Sequence, residues 1–249
     1  MQSLLGDTAV QGGGVYRVPM ACNGSLGSPT LVLRGSHPTA IALLPGSGGA
    51  LAIISATAMG ASGAGKDTHL VDLATGTLIS SCAAFGDGNA IVSAVSIMPD
   101  GAHALLADDG LSAGNRLAVV AVTHAAVTRI SGLLSTPSPD DVVASVFGNA
   151  AIVLNGDSND QIHVLAYDAA NRTAPFVITG QMPYRFPRPQ IPTTATPILV
   201  GSLRGTVFLG EVSAVRQLTF MAAGCVMDTA QLSLGGGLET IVGVVGVSP

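Results

Sequence analysis

Residues 89–134 read NAIVSAVSIMPDGAHALLADDGLSAGNRLAVVAVTHAAVTRISGLL. Four short apolar runs lie within them: IVSAVSI, AHALLAD, RLAVVAV and VTRISGLL. A Pro-Asp-Gly turn divides the first two, and an Asp/Gly-rich loop divides the second from the third. Short runs rich in β-branched residues and bounded by turn clusters predict strands joined by hairpins.

The same parts recur along the chain. TAIALL, ALAIISA, THLVDL and TLISSCA precede this unit; DVVASVF, AAIVLNG, QIHVLAYD and APFVITG follow it. A further set runs TPILVG, TVFLGEV, VRQLTFM and TAQLSL. The first turns fall at Pro45, Pro99, Gly148, Gly201 and Pro249, spaced 45 to 54 residues apart if the ends are joined. Such a period marks a propeller. The tail ETIVGVVGVSP (239–249) matches the opening strand of the 89–134 unit, and the first residues supply the strands that come next. The expectation is an all-β, five-bladed β-propeller with four antiparallel strands per blade. Its ring is closed by N- and C-terminal strands sharing one blade, which removes exposed sheet edges. The blades are 239–249 plus 1–34, then 39–84, 89–134, 140–181 and 195–235. A β-sandwich, an up-and-down barrel and a piece cut from a larger ring are the alternatives.

MPDGAHALLA (98–107) and HLVDLATGTLI (69–79) resemble the Pro-Asp-Gly and Asp-x-x-Thr-Gly turns of bacterial β-propeller repeat proteins of the YVTN and WD40-like kind. The resemblance implies the architecture and carries no activity. Only two units show those turns well, and no Gly-His…Trp-Asp signature is present in a chain without Trp.

The segment GASGAGKDTHLVDL (60–73) imitates a phosphate loop through Gly60, Gly65 and Lys66. A phosphate loop needs a helix behind it and a Ser or Thr after the lysine. Here the lysine is followed by Asp67 and then by THLVDL, which alternates like a strand. No nucleotide is expected, and Lys66 and Asp67 are read as solvated.

Composition narrows the partners. Of 249 residues, 48% are hydrophobic and 10% charged, well below the usual quarter. Lys66 is the sole lysine and the net charge is −5, so no nucleic-acid partner is expected. No apolar run reaches the length of a membrane span. No signal peptide is read at the start. The sequons Asn23-Gly-Ser and Asn171-Arg-Thr do not fix a compartment; an extracytoplasmic setting, periplasmic or secreted, is the expectation.

Strand order places the loops between second and third strands, and those between blades, on one face, here called the upper face. Asp7, Asp67, Asp108, Asp109, Asp157, Asp160 and Glu211 bring carboxylates to it. Asp157, Asn159 and Asp160 in NGDSND offer oxygen ligands for Ca²⁺, without the Gly and distant Glu of an EF-hand. Asx turns account for the same residues. The loop QMPYRFPRPQIPTTATP (181–197) holds five prolines with Tyr184, Arg185, Phe186 and Arg188. Arg and aromatic residues dominate binding hot spots. These four, with Asp108 and Asp109, are the expected ligand-binding residues, Tyr184 and Phe186 docking the loop and Arg185 facing outward. His37, His69, His103, His124 and His163 are scattered, with His69 and His163 at matching places. Cys22, Cys82 and Cys225 are read as small buried hydrophobes.

No catalytic set converges. The expected function is a non-catalytic binding or scaffolding module for a protein or small ligand, without cofactor. The alternative is a propeller hydrolase, lactonase or lyase using carboxylates and a divalent metal near the channel mouth. Sugar binding is a third reading, resting on Tyr16, Tyr167 and Tyr184.

Overall fold

The computed structural model describes residues 14–34, 38–56, 65–86, 90–108, 116–130, 132–136, 139–155, 161–184, 199–201, 205–211 and 214–233. Among them there are only strands, turns and loops. Among the described residues no helix is long and apolar enough to cross a membrane. The strands form five antiparallel sheets taken up in chain order.

The first sheet pairs β1 (Gly14–Arg17) with β2 (Thr30–Arg34). The second is the meander β3 (Pro38–Leu43), β4 (Leu51–Ala56), β5 (Thr68–Asp72) and β6 (Thr77–Cys82). The third holds β7 (Val92–Ile97), β8 (His103–Asp108), β9 (Arg116–Val122) and β10 (Val127–Arg129), with β11 (Leu134–Ser135) also paired to β9. The fourth runs β12 (Pro139–Ala144), β13 (Ala150–Asn155), β14 (Gln161–Tyr167) and β15 (Phe176–Pro183). The fifth runs β16 (Leu199–Gly201), β17 (Thr206–Glu211), β18 (Ala214–Phe220) and β19 (Val226–Ser233).

The first strands of successive sheets touch one another: β3 meets β7, β7 meets β12 and β12 meets β16. The sheets therefore radiate from a common axis with their faces stacked, as in a β-propeller. Ser93 and Ser96 on β7 tie this inner ring, the first donating to the Pro139 carbonyl and the second accepting from the Ala144 amide.

The core is a set of layers, each between two sheets. Ile54 and Val71 meet Val32 between the first and second sheets. Ile53 and Leu70 meet Leu106 and Val120 between the second and third. Leu105 and Val119 meet Val153 and Leu165 next, and Ile152 and Leu154 meet Val207 and Leu218 last. A second strand is thus covered on both faces. That is why LAIISA, HALLAD and AAIVLN are nearly continuous apolar runs, buried at all six positions. Fourth strands are covered on one side, and β15 alternates in burial accordingly.

The quoted turns form as their residues dictate. Asp100 Oδ1 accepts from the Ala102 amide, and Gly101 takes φ 69°, a left-handed value open to glycine. Asp72 Oδ1 accepts from the Ala74 and Thr75 amides in the second. Two expectations need correction. The run VTRISGLL is not one strand: it breaks into β10 and β11 around Gly132, whose φ is 93°. The fourth strand of the fourth sheet does not end at Gly180 but runs on through Gln181–Pro183, paired with Gln161–His163. The tail 239–249 lies outside the described residues.

Candidate functional site: the upper face

Strand registers put Ala56, Asp108, Asn155 and Glu211 at one equivalent place, the upper end of each second strand. All are buried. At two of these places a carboxylate and an arginine together join the hairpin to the chain segment that crosses between sheets.

Asp108 Oδ1 accepts from the Ile91 amide at 2.9 Å, ahead of β7. Its Oδ2 accepts from Arg116 Nη2 at 2.6 Å and Nε at 3.1 Å, across the β8–β9 hairpin. The Arg116 guanidinium lies 5.2 Å from the ring centroid of Phe85, the aromatic that follows β6. A related lock recurs two sheets on, with the arginine two residues further along the third strand. Glu211 Oε1 accepts from Arg216 Nη1 at 3.2 Å, and Arg216 also donates to the Pro183 carbonyl at the end of β15. Asp228 holds Arg216 from the other side at 2.7 Å. Tyr184, the aromatic that follows β15 as Phe85 follows β6, donates to the Gly210 carbonyl at 2.9 Å. Between these two locks the neutral Asn155 donates to the Gln161 carbonyl instead.

In the second sheet Ala56 brings no polar group, and Asp67 supplies it from the neighbouring position. Asp67 is not solvated, as the loop reading expected, but 0% exposed. Its Oδ1 accepts from the Ala84 amide and the Thr68 hydroxyl, and its Oδ2 from the Phe85 amide. Burial raises the pKa of this carboxyl, against smaller opposing pulls from the Phe85 and Ala84 amides, the Thr68 hydroxyl and its own backbone. Lys66 is exposed, and the element after it is strand β5 rather than the helix a phosphate loop requires.

The remaining candidates are placed as follows. Tyr184 is buried against Val207 and Leu209. Arg185, Phe186, Arg188, Asp109, Asp157, Asn159 and Asp160 lie outside the described residues. His69 and His163 do occupy matching places, opposite Ile54 and Val153, on strand faces turned toward the preceding sheet. His69 Nδ1 is 2.9 Å from Ser81 Oγ, and burial, with Lys66 adding to it, lowers its pKa. Cys22 and Cys225 are exposed rather than buried, because the turns between third and fourth strands stand at the rim. Cys82 is half-buried; burial and nearby Asp67 push its thiol up to about 12, far from a reactive thiolate. Among the described residues no three His, Cys, Asp or Glu groups gather to hold a metal.

The locking arginines and Phe85 were not picked out from the sequence. The signal was present for Asp108 and Arg116, which end and begin consecutive strands of one hairpin. Each of the two locking carboxylates, Asp108 and Glu211, is paired with an adjacent arginine, Arg116 partly buried and Arg216 buried.

No protein-family model matches the sequence, and no curated protein does. Solved structures match in shape. The periplasmic gluconolactonase of Pseudomonas aeruginosa is 17% identical with a TM-score of 0.63, covering 93% of this chain and 66% of its own. A Bacteroides uniformis protein described as a candidate 6-phosphogluconolactonase is 14% identical with a TM-score of 0.65, covering 89% and 65%. A Lactobacillus plantarum protein is 16% identical with a TM-score of 0.60, covering 89% and 64%. The chain spans about two thirds of the length of these structures. At such identities the likeness establishes the fold, and the chain is built as a β-propeller.

Proposed function

We propose that the chain forms a five-bladed ring, one blade drawn from both ends, whose upper face is a rigid, non-catalytic binding platform for a protein or small ligand. The observation that carries this reading is the double lock of Arg116 on Asp108 and Arg216 on Glu211. It commits the described upper-face carboxylates of those two sheets to architecture and sets Tyr184 as a buried foot for the proline-rich loop that follows. Asp108 and Tyr184 then serve the site from beneath. Arg185, Phe186, Arg188 and Asp109 are the residues proposed to meet the ligand.

A photo-crosslinking residue in place of Arg185 tests the platform. A discrete adduct is expected there, absent when the same group replaces Thr229 on outer strand β19. Equal labelling at both positions would sink the reading.

A second reading, a sugar-lactone hydrolase in an extracytoplasmic setting, is favoured by the names of the gluconolactonase neighbours. Turnover of gluconolactone by the purified protein, lost with EDTA and regained with Ca²⁺, would replace the first reading with this one.

A further inference from the structure

The two sequons, which neither the fold nor the platform uses, occupy corresponding places. Asn23-Gly24-Ser25 lies in the turn between β1 and β2, and Asn171-Arg172-Thr173 in the turn between β14 and β15. All six residues are exposed. Both turns stand on the lower face, opposite the upper one. Arg17, at the end of β1, donates to the Leu73 and Ala74 carbonyls in the β5–β6 turn. Tyr167, at the end of β14, reaches Asp100 in the first turn of the third sheet.

The two asparagines are held alike. Asn23 Oδ1 accepts from the Ser25 amide at 3.0 Å and from the Ser25 hydroxyl at 2.8 Å. Asn171 Oδ1 accepts from the Thr173 amide at 3.3 Å, the Thr173 hydroxyl at 3.2 Å and the Ala174 amide at 3.1 Å. A backbone amide can only donate, so the atom it meets is the carboxamide oxygen and Nδ2 is the atom left over. In each turn the third residue of the motif holds the oxygen, and the nitrogen faces solvent.

We propose that Asn23 and Asn171 are acceptors for N-linked glycans, which mark the lower face and leave the upper one bare. The inference goes beyond the platform reading and does not depend on it; it requires passage through a compartment that holds an oligosaccharyl transferase. The co-substrate is a polyprenyl-diphosphate-linked oligosaccharide. Asparagine Nδ2 bonds to the sugar C1 as the C1–O bond to the diphosphate breaks. The bonding pair leaves with the diphosphate, and Nδ2 gives up one proton to a base of the transferase. On Asn23 the bulky, hydrated sugar stands beside Met20 and Leu26, a bridged pair 72% and 63% exposed, and shields it from self-association.

The β18–β19 turn is an internal control. The Ala21 amide donates to the Ser25 carbonyl and the Gly24 amide to the Ala21 carbonyl; the Met221 amide to the Cys225 carbonyl and the Gly224 amide to the Met221 carbonyl repeat both bonds. Gly24 and Gly224 take φ 82° and 84°. Ala223 and Cys225, both exposed, stand where Asn23 and Ser25 do. This turn has the geometry of an acceptor and lacks the residues.

The test reads occupancy by gel mobility, and by mass spectrometry after peptide N-glycosidase, which leaves Asp at each site that carried a glycan. The full-length chain is secreted from eukaryotic cells behind a cleavable leader. Two glycans are expected. Asn23→Gln and Asn171→Gln should each remove one, and so should Ser25→Ala and Thr173→Val, which keep the asparagine. Ala223→Asn combined with Cys225→Ser should add a third. The glycosylated chain should melt at the temperature of the enzymatically deglycosylated one, since neither turn is buried. A secreted chain with both sites empty overturns the proposal, and one site empty while the other is full overturns the assignment of that turn. A melting temperature lowered by the attached glycans overturns it as well. Unmodified Asn23 and Asn171 in the chain isolated from the cells that make it overturn the assignment for the native protein.

Discussion

The Tyr167 hydroxyl donates a 2.7 Å hydrogen bond to Asp100 Oδ2, joining the end of the third strand of one sheet to the first turn of the sheet before it. The phenol has one proton and gives it to the carboxylate. His103 Nδ1, 2.6 Å from the same oxygen, must therefore be the donor to it. The three groups form a directed relay on the lower face, with the Tyr167 ring 4.8 Å from that of Phe176.

Tyr167→Phe should keep the ring contacts and lose both hydrogen bonds. A buried donor on His103 is left unmade and a carboxylate loses its partner, so the expected loss is about 1–3 kcal/mol by urea denaturation. A variant as stable as the parent would show that water replaces the phenol without cost.

The relay sets a pH window. Burial lowers the pKa of His103, against a smaller opposing pull from Asp100, and burial lowers that of His69 as well. The unfolded chain then binds more protons than the folded one just below the ordinary value of 6.5. Stability is fully present above that value and falls as pH drops through it toward the folded pKa. Tyr167 acts at the other end: burial, reinforced by Asp100, raises its pKa above 10, so stability holds below 10 and declines as pH rises beyond. Melting temperatures across pH 4–11 should show both shoulders, and His103→Gln should diminish the acidic one.

Arg216→Leu should be costly because Glu211, 4% exposed, is left with a buried charge. The expected destabilisation is about 3–5 kcal/mol, and adding Glu211→Gln should recover part of it. Independent, additive losses in the double variant would mean that the pair does not act as a unit.

Lys66→Ala should leave the melting temperature unchanged, whereas Asp67→Ala should lower stability by about 1–3 kcal/mol through three orphaned donors, the Ala84 and Phe85 amides and the Thr68 hydroxyl. ATP binding that vanishes in the lysine variant would contradict the strand that follows it.

Local signals made the sheets legible in the sequence. A Pro-Asp-Gly turn and an Asp-x-x-Thr-Gly turn write their own hydrogen bonds, and runs such as AIVL and ALLA mark strands covered on both sides. What could not be read is what depends on neighbours far away in the chain. Asp67 looked solvated because its donors, Ala84 and Phe85, lie beyond a whole hairpin. Tyr184 could be read as docking, but its acceptor on Gly210 could not be named. Cys22 and Cys225 were misjudged because burial of a small residue depends on radius from the axis, which local composition does not encode.

The layered core also fixes how the molecule comes apart. Each layer is shared by two adjacent sheets only, so stabilisation passes from neighbour to neighbour, as in a linear array. The third sheet is clamped by two broad layers, whereas the layer between the first and second contains Val32, Ile54 and Val71 with a fringe of half-buried side chains. Native-state hydrogen exchange should therefore proceed in stages rather than all at once: amides of β1 and β2 trade their protons first, and those of β8 and β9 last, a graded fraying that starts at the first sheet.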